Sequence, residues 1–250
     1  MTDTDLASYV CEMKGTEMQG RIESADEELK ESLLQKGIQL PDIVSALMNT
    51  LRIRDVETEE HSERVCRFSL LLGCQLGLDL AQMNSLVHGS LLHDIGKVGV
   101  PDRILRKPGR LNSEEWTRMR EHPGLGFQIL HGIPSLAGAS LVVAQHHERW
   151  DGKGYPFGLR RNEIDQNARI FAVADALDAI ISDRVYRTGQ SFEAAAAELE
   201  RGAGTQFDPA VVQAFDRIGV EEWSTVMTEH TLSRNSYLTA SANSALEAHR

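Results

Sequence analysis

Long apolar runs are missing from this 250-residue chain, and the apolar stretches extend only a few residues, as at Leu70 to Leu72. A membrane helix needs roughly 18 or more in a row, so no span is expected. The opening "MTDTDLASYVCEMK" also lacks basic residues followed by an apolar stretch, which removes a secretory leader from the expectations. Cysteine is scarce. Cys11, Cys66 and Cys74 are odd in number and no pair has C-x-x-C spacing, so neither a disulfide framework nor a thiolate-rich zinc site is expected. Reduced thiols in a cytoplasmic protein are the natural reading. Basic charge is short as well. Lys and Arg total 26 against 37 Asp and Glu, a net charge of −11, which argues against a DNA or RNA backbone binder, since that needs a basic face. A small anionic ligand stays admissible, because bound metals or a few local cations override the global field.

What is present is ordinary material for a globular protein: 41% hydrophobic and 25% charged residues, in a chain long enough to bury a real core. The pattern is helical almost throughout. "SADEELKESLLQKG" opens with Ser24 and Glu27 in capping-box spacing and ends at Gly37. After Pro41, residues Ile43, Leu47 and Leu51 repeat every fourth place. A long helix is expected from about Glu57 to Leu76, with Val65, Phe68, Leu72 and Leu76 on one side. Another is expected from about Leu80 to Asp94, carrying Met83, Leu86, Val87 and Leu91. Further helices are read in "SEEWTRMREH", "SLAGASLVVAQHH", "ARIFAVADALDAIISD", "SFEAAAAELERG" and "DPAVVQAFDRI", the last with Asp208 as N-cap and Pro209 at the first helical position. Gly and Pro gather only in "VGVPDRILRKPG" and "DGKGYPFG", which read as ordered loops. The expectation is an all-α fold with at most a short hairpin. Residues 1–45 form an N-terminal helical extension, 46–220 the main domain and 221–250 a polar tail.

One stretch contradicts its own surroundings. In "SLLHDIGKVGVPD" an apolar helix runs directly into His93, Asp94 and, three residues later, Lys97. An unpaired charge on a core-facing side costs several kcal/mol, on the order of a whole side chain's hydrophobic gain. Four other histidines sit in comparable contexts. Glu57 and His61 are four apart on one helix face, His122 precedes Pro123, and His146 and His147 end an apolar helix ahead of Glu148. Asp175 lies inside the apolar "IFAVADALDAI". Each alone has an ordinary reading, since a single helical histidine is usually a hydrogen-bonded or surface residue. Jointly, imidazoles and carboxylates suit octahedral N/O coordination of iron, manganese or nickel.

The same residues resemble a known family. "HSERV" from His61, "HDIGKVGVPD" from His93, "KPGRL" from Lys107, "HP" at His122, "HHERWDGKGYPFGL" from His146, "VADALDAIISDRVYR" from Val173 and "GTQFDP" from Gly204 resemble, in order, the HD-GYP branch of the HD phosphohydrolases. That resemblance implies an HD-domain helical bundle with an inserted GYP loop, which linearises cyclic di-GMP or a related cyclic dinucleotide, some members continuing to GMP. It implies a metal-bridging hydroxide as nucleophile and places the metals on His61, His93, Asp94, His122, His146, His147 and Asp175. Lys97 and Asp94 would then serve catalysis, and Tyr155, Arg184 and Arg187 would hold the nucleotide. Glu57 resembles the position that recruits a third ion, so two or three divalent ions, iron or manganese, are expected, with three favoured. A homodimer is left open.

The sequence also departs from the family's usual pattern. Arg161 stands where glycine is common, Asp165 where proline is common, and Val185 where proline is common in "SDRPYR". These positions shape backbone rather than ligate, so loop conformation and substrate fit are what they put in question. Two other readings stay open: a catalytically weak domain that binds a nucleotide or partner, and an HD phosphohydrolase acting on another nucleotide such as ppGpp. Asp178, three after Asp175, is read either as support for a ligand or as a surface ion pair.

Overall fold

The computed structural model describes residues 41–54, 58–183 and 188–227, with backbone alone for 58–60. Two compact units divide the chain, Pro41–Ile218 and a second that includes the described residues 219–227. The first holds every described candidate site residue. Its helices are α1 (Asp42–Arg54), α2 (Thr58–Gln75), α3 (Leu80–Leu92), α4 (Asp102–Leu105), α5 (Ser113–Met119), α6 (His122–Leu130), α7 (Ala137–Gln145), α8 (Gln166–Ile181), α9 (Phe192–Gly202) and α10 (Pro209–Arg217). No strand occurs among the described residues. Extended pairing among them is limited to one isolated bridge between Ala203 and Phe207. None of the described helices is long and apolar enough to cross a membrane.

The core follows from helical periodicity. α2 contributes Val65, Phe68 and Leu72, α3 Leu86, Val87 and Leu91, α7 Val142 and Val143, and α8 Ile170, Phe171, Val173 and Leu177, all fully buried. Residues three and four apart share a helix face, so each helix turns one apolar stripe inward. In α1 the stripe is one place out of the expected phase: Val44, Met48 and Leu51 are buried, and Ile43 is exposed. Caps fix the helix starts. Asp79 and Asn112 each form a capping box with the residue three places on, and Asp208 accepts from the Ala210 amide with Pro209 following.

Two elements were not anticipated. "HPGLGFQIL" is a helix, α6, despite glycines that lower helix propensity by about 1 kcal/mol each. Gly96 explains the packing there, because a Cβ would lie 1.9 Å from the His122 carbonyl oxygen and 2.6 Å from the Gly126 amide nitrogen. Only glycine lets the 3₁₀ turn Ile95–Gly99 dock backbone to backbone on α6. The loop "VGVPDRILRKPG" likewise contains the short helix α4.

Candidate functional site

The ends of the core helices supply the site. His93 is the C-cap of α3, and Asp94 begins the 3₁₀ turn that carries Lys97. His122 opens α6, which the Gly96 contact presses against that turn. His146 caps α7, His147 follows it, and Asp175 projects from the middle of α8. His61 lies in α2. The five imidazoles form one contiguous group. Ring centroids are 5.4 Å apart for His61 and His93, 5.4 Å for His93 and His146, 5.2 Å for His122 and His146, and 4.0 Å for His146 and His147.

The second nitrogen of each ring shows what the group is arranged to do. Nδ1 of His93, His122 and His146 lies 2.8 Å from the carbonyl oxygens of Ser90, Met119 and Val143 respectively. A carbonyl only accepts, so each Nδ1 carries a proton and donates, and wherever the ring is neutral Nε2 is left as the inward acceptor. His61 repeats the design with a carboxylate, its Nδ1 2.7 Å from Asp178 Oδ2. The Nε2 atoms then meet one another and the two aspartates. His122 Nε2 is 3.2 Å from His146 Nε2 and 3.3 Å from Asp94 Oδ1, His93 Nε2 is 3.2 Å from Asp94 Oδ2, and His61 Nε2 is 3.3 Å from Asp175 Oδ1.

Burial holds His122 below the ordinary imidazole range, His146 well below it, and His147 down to about 4. All three are neutral at pH 7, so the 3.2 Å contact between His122 and His146 opposes two lone pairs. An electrophile between them removes that repulsion, and the donor atoms of His122, His146 and His147 lie within 4.8 Å of one another, close enough to share an ion. The donor set therefore fits a divalent cation, with the outer nitrogens fixed as metal-binding histidines require.

The carboxylates are charged despite their surroundings. Burial acts to raise Asp94, but His93 and Lys97 override it and hold the group well below the usual range. Lys97 Nζ stands 2.8 Å from Asp94 Oδ2. Burial likewise opposes ionisation of Asp175, and His61 reverses it. For His61 burial favours the neutral ring, yet hydrogen bonds with Asp175 and Asp178 raise its pKa to about 9. Asp178 is not on the surface: it is 1% exposed, accepts from Arg64 Nε at 2.5 Å and from Ser182 Oγ at 3.1 Å, and is depressed to about 2, burial being outweighed by His61 and Arg64. It supports His61 from behind.

The GYP loop closes over this group. A Cβ on Gly154 would lie 2.5–2.6 Å from backbone atoms of His147, Glu148 and Arg149, so glycine is required for the loop to fold back. The Tyr155 amide donates to the His147 carbonyl at 3.2 Å, and the Tyr155 ring lies 4.6 Å from the His147 ring. Burial raises the Tyr155 hydroxyl to about 12, so it stays protonated. Glu148 is 4% exposed, and its Oε1 accepts from the amides of Phe157 at 2.7 Å and Gly158 at 3.1 Å. Adjacent residues thus face opposite tasks, His147 the cluster and Glu148 the loop. Next to them a cavity of about 390 Å³ is lined by His147, Asp175, Ala176, Ile180, Glu198 and Gln206.

The unusual residues have structural accommodations. Arg161 adopts φ 52°, the left-handed region glycine occupies freely. Asp165 caps α8 by accepting from Asn167, and its own amide donates to Gln145 Oε1 at 2.6 Å, a bond proline could not make. Glu57, Arg184, Arg187 and Val185 lie outside the described residues, as do Ser24 and Glu27. Sequence reasoning passed over Arg64 and gave Glu148 no role. The "HHE" run was the available signal for Glu148, and the "HSERV" run was the one for Arg64.

Comparison with known proteins agrees with this architecture. A family model for the HD domain matches residues 45–211. A cyclic di-GMP phosphodiesterase of Thermotoga maritima is 41% identical over 181 residues, 71% of this chain and 49% of that protein. A cyclic di-GMP phosphodiesterase of Vibrio cholerae is 41% identical over 192 residues, 71% of this chain and 39% of that protein. The chain thus spans half or less of the length of these curated relatives. Among solved structures, a cyclic GMP-AMP specific phosphodiesterase of Vibrio cholerae (V-cGAP3) shares the fold, with a TM-score of 0.58 and 19% identity over 74% of this chain and 50% of that one. The histidine and aspartate cluster, the glycine-dependent docking of its turns and the family match together show that this chain belongs to the HD domain family, in its HD-GYP branch.

Proposed function

We propose that this chain is a metal-dependent phosphodiesterase that opens a cyclic dinucleotide, cyclic di-GMP or a related one, to the linear form. The observation that carries the reading is the set of inward Nε2 atoms, two of them opposed at 3.2 Å with their outer nitrogens already committed. His61, His93, Asp94, His122, His146, His147 and Asp175 would hold the ions, with Glu57 recruiting a third. Neither described cysteine belongs to the cluster, so iron or manganese suits these N/O donors better than a thiolate-bound zinc. When bound, such ions supply Lewis acidity towards a phosphoryl oxygen and acidify water at neutral pH.

The chain's own residues do the rest. Lys97, held by Asp94, stabilises charge that grows on the phosphate oxygens as the bond to the 3′ oxygen breaks. Tyr155 presents a protonated hydroxyl and a ring edge to the nucleotide from a loop fixed by Glu148. Arg184 and Arg187 are assigned to the same task. The relatives' names support the substrate class, two of them being named for cyclic di-GMP and the structural neighbour for cyclic GMP-AMP.

The test is a His93→Ala, Asp94→Ala double variant. It should keep its helical spectrum, lose most bound metal by elemental analysis and lose hydrolysis of cyclic di-GMP. A fully metallated, active double variant overturns the assignment. Glu57→Gln measured alongside should lower the metal content from about three ions per chain towards two, and an unchanged ratio removes the third ion alone.

A further inference from the structure

We infer that Arg120 is a substrate-binding residue of this site, holding the phosphate of the cyclic dinucleotide that is not hydrolysed. The inference rests on the phosphodiesterase reading and extends it to how a two-phosphate substrate is told from a one-phosphate one. Arg120 is the C-cap of α5, in the turn that leads to His122. Its guanidinium carbon lies 5.1 Å from the centre of the Tyr155 ring, and that ring lies 4.6 Å from the ring of His147. An exposed cation is thereby held on the face of the tyrosine that packs against a cluster histidine.

Its charge is uncommitted. Lys97 is paired with Asp94, Arg64 with Asp178, Arg149 with Asp151, and the adjacent Glu121 is taken by Arg118. Among the described residues Arg120 meets no carboxylate, although acidic residues outnumber basic ones 37 to 26 in the whole chain. An ordinary surface arginine in so acidic a protein would be expected to find a carboxylate or extend into water. This one lies on the tyrosine of the substrate loop. A π face orients a guanidinium without neutralising it, so the planar donor fork stays available for phosphate. A cyclic dinucleotide carries two phosphodiesters, each with one negative charge. The cluster and Lys97 take the one that is cleaved, and Arg120, held on Tyr155, is placed to take the other beside the nucleotide contacts assigned to Arg184 and Arg187.

The experiment compares wild type, Arg120→Ala and Arg120→Lys, each reconstituted with manganese and analysed for metal. Substrates are cyclic di-GMP and the one-phosphate diester bis(p-nitrophenyl) phosphate. Arg120→Ala should raise KM for cyclic di-GMP by about tenfold or more, the weight of one charge-assisted hydrogen bond, with a smaller change in kcat. The preference for cyclic di-GMP over the one-phosphate diester should fall by a similar factor at equal metal content. Arg120→Lys should recover part of it, and the KM of Arg120→Ala should depend less steeply on salt. An unchanged KM beside an active wild type overturns the inference alone, as does an equal loss on both substrates, which marks a structural role. A metal-loaded wild type that neither binds nor hydrolyses cyclic di-GMP overturns the phosphodiesterase reading, and this inference with it.

Discussion

Asp178→Asn separates support of His61 from simple structural pairing. Asparagine keeps the shape and one acceptor oxygen but removes the charge that faces His61 Nδ1 at 2.7 Å and Arg64 Nε at 2.5 Å. The Asp178 carboxyl is depressed from the ordinary 3.8 to about 2. A depressed carboxylate contributes stability that is present above its unfolded value and lost as pH falls through the folded one. At neutral pH the difference corresponds to about 2 kcal/mol, at about 1.4 kcal/mol per unit. In a unit of this size that lowers the Tm of the metal-free protein by roughly 4–8 °C. The second consequence is specific to ion binding. Losing the carboxylate that fixes an imidazole's tautomer and orientation typically weakens metal affinity about 10- to 100-fold. Manganese titration against a competing chelator reads the second effect, and a thermal melt reads the first. A lower Tm with manganese affinity within about twofold of wild type would refute the reasoning, leaving Asp178 a buried ion pair and no more.

Metal-free protein should lose stability on both sides of neutrality. His147 is held down to about 4 by burial and His146 well below its ordinary value, so the unfolded chain takes up protons first as pH falls below 6.5. His147 alone then removes on the order of 3 kcal/mol between pH 6.5 and 4. His61 is raised to about 9, so its contribution is complete below 6.5 and disappears as pH rises through 9. Melts in chelator from pH 4 to 10 should trace a dome, and a flat profile contradicts it. Glu148→Ala removes the acceptor for the Phe157 and Gly158 amides, and should raise KM for cyclic di-GMP several-fold at unchanged metal content, with Glu148→Gln intermediate. Kinetics that match wild type would show that the loop holds itself. Arg161→Gly relieves a left-handed backbone cost of about 1–2 kcal/mol against an unfolded-state cost of about 0.4–1, so Tm should rise by about 1–3 °C, and a fall would contradict the strain.

Much of the site was legible because burying its residue types demands compensation. His93 and Asp94 at the end of an apolar helix, and Asp175 within one, are costly without partners, and the structure brings them to His61, His122, His146 and His147. The α3 and α8 stripes could be read because a 3.6-residue period shows directly in Leu86, Val87 and Leu91 or Ile170, Val173 and Leu177. Tertiary relations were another matter. α6 was hidden because its glycines, read locally, oppose a helix, and only the Gly96 contact reveals why smallness is favoured there. Asp178 could not be placed on the buried side until α2 supplied His61 and Arg64 to meet it. Arg161 and Asp165 looked like faults in a motif, yet one tolerates a positive φ and the other caps α8 with a bond proline cannot form. In α1 the repeat of Ile43 and Leu47 pointed one residue away from the buried face, because three apolar positions permit two phases.

The most direct measurement incubates cyclic di-GMP with the protein in three states, loaded with manganese or iron, stripped by chelator, and reloaded, and follows the nucleotides by chromatography and mass. Conversion to the linear dinucleotide by the loaded and reloaded protein, and none by the stripped protein, is the predicted result. Intact cyclic di-GMP beside fully loaded protein, or equal turnover in all three states, would contradict a metal-dependent cyclic dinucleotide phosphodiesterase.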